Sequence, residues 1–307
     1  VAMLPQPFVT TAQMKQESVH VALDLTAEWA KLQEGSNEPS AMLTGIVIAR
    51  TDYVAEHPEE VSKFLDGYKA SVEYVNANVE DAAKLIAAKL NEAIAEKGEA
   101  RLLLSTGASQ FEMMDALTKM PVDFTKVTMF HLDEYVGLPI THIASFRKYL
   151  TERFVNRVPL KEAVFVNGEG DVAANIDYIS HRVKEAPIDV GVIGIGENGH
   201  IAFNDPPADF DTEAAYKVVT LDERCRKQQV GEGWFATVDD VPKQAYTMGI
   251  KTIMQAKKIL IIASGEDKAE IVHKAFFGPI TPQVPASVLQ LHNDVTLVAD
   301  EAALSRL

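Results

Sequence analysis

The stretch GIGENGHIAFNDP, residues 194–206, sets Glu197, Asn198 and His200 among three glycines and places Asp205 five residues beyond the histidine. Histidine titrates near neutrality, so it can pass protons to and from a substrate oxygen. A neighbouring carboxylate fixes its tautomer, as in a triad. Asp205 is the downstream candidate for that task and Glu197 the upstream one, with Asn198 as a further polar neighbour. Gly194 and Gly196 let the backbone approach a ligand closely, and Gly199 leaves His200 unobstructed. The competing reading is a structural histidine in a tight turn.

A second stretch, HLDEYVGL (residues 131–138), carries the adjacent carboxylates Asp133 and Glu134. A carboxylate enclosed at a strand end can shuttle a proton between neighbouring carbons once burial moves its pKa toward neutrality. The alternatives are a helix cap or a metal ligand, and no histidine spacing typical of a zinc site accompanies the pair. No metal is expected. In the third stretch, STGAS (residues 105–109), Ser105, Thr106, Gly107 and Ser109 end an apolar run just before a helical one. Exposed backbone N–H groups and hydroxyls there suit a phosphate, although many such turns are only tight connections. Lys217, Arg224, Arg226, Lys227 and Lys268 supply cations farther along. Each alone reads as a solvated surface charge; together they are natural counter-ions for an anion.

The elements that must position these groups alternate. Apolar runs at residues 101–107, 126–135, 188–196, 257–265 and 294–300 read as strands, with helical stretches after the first and fourth. Apolar strands separated by helices give a parallel sheet covered on both faces. Ligands then bind at the carboxyl ends of the strands, where the polar stretches fall. The expected fold is α/β, a doubly wound and mostly parallel sheet. Before it, residues 34–42 form a polar break, residues 43–50 a short strand and residues 57–78 a helix with Pro58 at its start. A further helix starts from a capping Asn78 and stops at Gly98. Residues 72–75 either end the first of these helices or form a short strand.

Composition bounds the function. The chain has 307 residues, 47% hydrophobic and 24% charged, a globular balance. A formal net charge of -15 argues against nucleic acid as the partner, because phosphate backbones need a basic face. It leaves room for one phosphate held by a few local cations. No apolar run suits a membrane span, and no basic region leads into an apolar core at the amino terminus, so neither a membrane partner nor a signal peptide is expected. The lone Cys225 allows no internal disulfide, which fits a reducing, cytoplasmic compartment.

From about Asp81 onward the chain resembles the isomerising glucosamine-6-phosphate deaminases, in the superfamily that includes the 6-phosphogluconolactonases. STGAS, HLDEYVGLP, GIGENGHIAFNDP and PASVLQLH (residues 285–292) stand in the family's order at compatible spacing. The resemblance implies a Rossmann-like fold with no metal or organic cofactor, converting glucosamine 6-phosphate to fructose 6-phosphate and ammonia. It implies Asp133 as the base moving a proton between C1 and C2, beside Glu134. His200 opens the ring, with Asn198 and Asp205 as its orienting shell. Ser105, Thr106, Gly107, Ser109, Lys217, Arg224 and Lys268 then bind the substrate and its phosphate. The better-known members carry Asp where this chain has Asn198 and Glu where it has Asp205, and a phosphate-binding arginine where it has Gln229. Such enzymes commonly form oligomers, so a homo-oligomer is expected unless the amino-terminal segment blocks it.

That segment has its own resemblance. Residues 3–15 and 43–86 look like the carboxy-terminal part of a periplasmic substrate-binding protein of the nitrate, sulfonate and thiamine-precursor type. The expected organisation is therefore an appended segment, residues 1–78, and a deaminase domain, residues 79–307, joined as a fusion or chimera. The alternatives left open are a 6-phosphogluconolactonase-like hydrolase, a non-catalytic sugar-phosphate sensor and an inactive fusion.

Overall fold

The computed structural model describes Tyr53 and residues 57–306 apart from 222 and 232, with no account of the side chains of residues 60, 62–79, 108, 224 and 228. The polar break and short strand expected within residues 34–50 lie outside the described residues. The chain divides into two units, Val1–Asp66 and Gly67–Leu307. In the first, the Tyr53 ring stacks on His57 at 4.5 Å. The second contains all of the candidate groups.

Helix α1 covers Pro58–Lys97 without interruption, where the sequence predicts two helices divided at Asn78. No proline or glycine falls between Gly67 and Gly98 to break the hydrogen-bond ladder. Asn78 therefore does not cap, and residues 72–75 are helical. Ile86 and Leu90 are fully buried on the face that meets the sheet.

The central sheet is six-stranded and wholly parallel, with β1 (Ala100–Leu104), β2 (Val127–His131), β4 (Glu162–Val164), β5 (Val190–Gly194), β8 (Lys258–Ala263) and β9 (Val295–Ala299) in the order β4-β2-β1-β5-β8-β9. Helices α2 (Phe111–Leu117), α4 (Val172–Lys184) and α7 (Ala269–Phe277) join α1 around it. Side chains alternate across a strand, and the cores show it. Leu103, Phe130, Ile193 and Ile261 enter one core with Ile179 and Val183 of α4. Leu102, Leu104, Met129, Val192 and Leu260 enter the other with Ile86, Leu90 and Met113. From β1 the sheet grows first through β2 to β4, then on the other side through β5 to β9. The switch point lies between β1 and β5, where doubly wound sheets open a crevice.

A second sheet, not expected from the sequence, is antiparallel: β3 (Asp133–Tyr135), β7 (Gln244–Met248) and β6 (Tyr216–Thr220), with β7 in the middle. The single strand expected over residues 126–135 is thus two strands in two sheets. Leu132 makes the transfer, its N–H donating to Leu104 O at 3.3 Å and its carbonyl accepting from Met248 N at 2.8 Å. The remaining helices are α3 (Phe146–Arg153), α5 (Glu223–Gly231) and the short α6 (Ile250–Ile253).

Candidate active site

The turn after β1 lies at the switch point. Ser105 N donates to Val192 O of β5 at 3.0 Å, which draws the turn over the β1/β5 gap. Gln110 is fully buried beneath it and its Nε2 donates to Ser109 Oγ at 3.0 Å. A hydroxyl oxygen that accepts this bond keeps its own proton for another acceptor. Among the described residues, the buried Ser105 Oγ and Gln110 Oε1 have no hydrogen-bond partner. Thr106 is half-buried and Gly107 exposed. On the other side of β5, the 3-10 turn Glu266–Lys268 follows β8. Asp300 fixes its start by accepting from Gly265 N at 3.0 and 3.1 Å. Lys268 is half-buried there and makes no ion pair among the described residues. STGAS and Lys268 thus flank β5 at the carboxyl edge of the sheet.

The histidine turn follows β5 itself. Two of its glycines are geometrically required. A Cβ on Gly196 would stand 2.1 Å from the His200 ring, so the imidazole lies directly against this backbone. Gly199 has a φ of +85 and its Cβ would fall 3.0 Å from Ile271. His200 Nδ1 is 2.6 Å from Asn198 Oδ1 and 3.3 Å from Asp205 Oδ1, while Asn198 Nδ2 donates to Asp205 at 2.9 Å. Asn198 Oδ1 also accepts from His200 N at 3.0 Å. The network orients the Asn198 amide, and two oxygen acceptors within 3.3 Å of Nδ1 favour the tautomer that carries its proton there and leaves Nε2 to face a substrate. Burial works to raise the Asp205 pKa, but the bonds from His200 and Asn198 prevail and hold it below its ordinary value. Asp205 is therefore the carboxylate beside the imidazole, while Glu197 is exposed. The PASV stretch braces the turn from behind, with Ala286 N donating to Gly199 O at 2.8 Å.

Asp133 and Glu134 point to opposite faces of β3 and have different environments. Asp133 is 8% exposed, and no hydrogen bond from a described residue reaches its carboxylate. Burial first, and the charge of Glu134 second, raise its pKa well above the usual carboxylate value. Glu134 is fully buried and accepts from Ser145 Oγ, Phe146 N, Arg147 N and Arg147 Nε at 2.9 to 3.2 Å. It caps α3 and pairs with a buried guanidinium, so its lone pairs are occupied. That is the helix-cap role which the sequence reading left open for this pair.

The antiparallel ladders align Asp133 and Lys217 on either side of Thr247. Lys217 lies 3.7 Å from Asp209 and is a quarter exposed. Arg224 belongs to α5, and its side chain lies outside the described residues. Gln229 accepts from Tyr135 Oη at 2.8 Å, which gives the glutamine a structural partner one residue beyond Glu134. Among the described residues, no group of three or more His, Cys, Asp or Glu side chains could hold a metal ion. No helix among them is long and apolar enough to cross a membrane. Sequence reasoning missed Gln110, Asn204 and Thr247. Asn204 stood in the quoted histidine stretch, but neither Gln110 nor Thr247 stands out by residue type.

The sequence pattern of the glucosamine-6-phosphate isomerases/6-phosphogluconolactonase family matches residues 75–298. This chain belongs to that family. Among family relatives, the glucosamine-6-phosphate deaminase of Streptococcus pyogenes serotype M49 is 40% identical over 212 residues, covering 69% of this chain and 89% of the relative. That of Streptococcus uberis is 38% identical over 231 residues, covering 75% and 97%. The solved structure of a monomeric glucosamine-6-phosphate deaminase superposes with a TM-score of 0.69 at 34% identity, covering 76% of this chain and 97% of the other. A 6-phosphogluconolactonase from Shewanella baltica gives a TM-score of 0.60 at 19% identity over 73% and 94% of the two chains, a likeness of fold.

Proposed function

We propose that this family member is an isomerising deaminase that converts glucosamine 6-phosphate and water to fructose 6-phosphate and ammonia. The deaminase relatives at 38 to 40% identity support the activity. The observation that carries the site assignment is Asp133: a buried carboxylate with a raised pKa, in register with Lys217, on a face that also holds the histidine turn. His200 takes the proton of the sugar's anomeric hydroxyl at Nε2 and returns one to the ring oxygen, which opens the ring. Asn198 and Asp205 hold the imidazole and balance its charge meanwhile. Asp133 then removes the proton from C2 and delivers it to C1, while the amino group gives up a proton to the C1 oxygen, a transfer that suits a buried base whose pKa stands well above the usual carboxylate value. The C2 imine so formed takes up water and loses ammonia. Thr106, Gly107, Ser109 and Lys268 hold the phosphate, Ser105 supports the turn from below, and Lys217 and Arg224 add cations. Glu134 positions rather than reacts, since its oxygens are occupied by α3.

The shorter Asp205 and the neutral Asn198 suffice to orient His200, because together they form a closed three-membered network at hydrogen-bond distance. A lactonase would need no base poised at a carbon-bound proton, which is the feature Asp133 offers. The reading of residues 1–78 as a fused fragment rests on its resemblance to a substrate-binding protein; the family match begins at residue 75. The test is an assay for ammonia and fructose 6-phosphate released from glucosamine 6-phosphate. The parent chain is expected to turn over and Asp133→Asn to lose at least about 10³-fold in kcat, from general-base removal and the lost charge together. Full turnover by the Asn variant would overturn the assignment of the base. Hydrolysis of 6-phosphogluconolactone without ammonia release from the amino sugar would overturn the reaction.

A further inference from the structure

Thr247 lies in none of the stretches that advertise chemistry, yet it sits where the two halves of the site meet. It is fully buried in β7, the middle strand of the antiparallel sheet. It stands opposite Asp133 on β3 and opposite Lys217 on β6. Directly opposed residues of antiparallel strands project from one face. On that face Thr247 Oγ1 accepts from Phe203 N at 3.1 Å and from Asn204 Nδ2 at 3.2 Å, while its own proton goes to Met248 O at 3.4 Å. Asn204 Nδ2 also donates to Ile201 O at 2.9 Å and Met248 O at 2.8 Å. The backbone that follows His200 is therefore stitched to the strand beside Asp133, and one hydroxyl oxygen takes two of the stitches.

We propose that Thr247 is a positioning residue that sets the His200 turn at a fixed distance from Asp133, so that one bound sugar meets both. The proposal rests on the deaminase reading above. Ring opening and proton transfer occur on one substrate held in one pose, and a displacement of about 1 Å between catalytic groups costs on the order of 10²-fold in rate. Within β7, Met248 O also accepts from Asn204 Nδ2, but the bond from Phe203 N is taken by the Thr247 hydroxyl. The side chains of its neighbours Tyr246 and Met248 project to the opposite face. The phosphate turn hangs from β1 and β5 and Lys268 follows β8, so of the groups proposed for the phosphate only Lys217 stands beside Thr247, and most of the hold on an anion is independent of it.

Thr247→Val keeps the shape and removes the acceptor; Thr247→Ser restores it. The full chain is assayed for kcat and KM with glucosamine 6-phosphate, and for competitive inhibition by inorganic phosphate. The valine variant is expected to lose about 30- to 100-fold in kcat with KM and the phosphate inhibition constant within about threefold of the parent, and serine to recover most of kcat. If valine prevents folding, Thr247→Cys supplies a weak acceptor of similar size and should give an intermediate kcat. Unchanged kcat in the valine or cysteine variant overturns the proposal. So does an equal loss in the serine and valine variants, or a rise in KM with kcat intact. A parent chain without deaminase turnover overturns the parent reading instead, and the proposal with it.

Discussion

Asp133 and Glu134 are neighbours in sequence and differ in almost every physical respect. Asp133 is buried without a hydrogen-bonded partner among the described residues, and burial and Glu134 both favour its protonated form. The folded chain thus binds this proton more tightly than the unfolded chain, and stability falls as pH rises wherever the native state binds more protons. The penalty is absent below the ordinary carboxylate range and complete above the raised folded-state value. Asparagine carries no such penalty. Asp133→Asn is expected to be more stable than the parent near pH 8, with a Tm higher by roughly 2–4 °C per kcal/mol relieved, and to converge with it near pH 4. Thermal melts at the two pH values check this. An Asn variant less stable at the higher pH would show that Asp133 has a stabilising partner in the fold. The same pKa shift places the acid limb of kcat/KM above the usual carboxylate range.

Glu134 belongs to the scale of elements. Its carboxylate gathers the first-turn N–H groups of Phe146 and Arg147, the Ser145 hydroxyl and the Arg147 guanidinium. Arg147 in turn bonds Leu138 O at 2.8 Å and Asn167 Oδ1 at 2.7 Å. One side chain therefore locks β3 to α3 and to the loop after β4, and keeps Asp133 in place from the other face of the strand. Glu134→Ala leaves the buried Arg147 with the half-exposed Glu169 at 3.1 Å as its remaining carboxylate among the described residues, strips the first turn of α3 of its acceptor, and is expected to cost about 3–5 kcal/mol of stability. Denaturant midpoints at constant slope measure it. Glu134→Gln, which keeps the shape and some acceptors, should cost less, about 1–3 kcal/mol. A cost below that for alanine would remove Glu134 from the frame of the site. Also at this scale, the loss of a cap at Asn78 follows from α1 itself: a helix without Gly or Pro from residue 68 to residue 97 has no reason to stop.

For the molecule as a whole, a net charge of -15 must coexist with the sugar phosphate of the proposed reaction. The doubly wound topology gathers STGAS, Lys268 and the histidine turn, the groups proposed to receive it, along one edge, around β5. Binding to the folded chain alone stabilises it by mass action, by about 2.7 kcal/mol at a ligand concentration one hundred times Kd. At roughly 2–4 °C per kcal/mol, saturating glucosamine 6-phosphate is expected to raise the Tm of the family domain by about 5–10 °C. Unphosphorylated glucosamine at the same concentration should raise it far less. Equal shifts from both sugars would remove STGAS and Lys268 from the phosphate site.

The sequence by itself determined the parallel strands other than the three-residue β4, the turn residues at their ends, and which groups could do chemistry. These depend on local patterns: apolar runs, glycines where backbone or ring approaches closely, and paired polar side chains in short stretches. The family, too, was legible in four ordered motifs. Only the tertiary structure decided which carboxylate is free and which is taken, since Asp133 and Glu134 differ in environment and not in type. It alone chose Asp205 over Glu197 as the partner of His200. It alone showed that one apparent strand at residues 126–135 serves two sheets, because Leu132 bonds to Leu104 on one side and to Met248 on the other. Thr247 was invisible for the same reason: it touches Asn204 across 43 residues of chain, and no local pattern records a contact of that span.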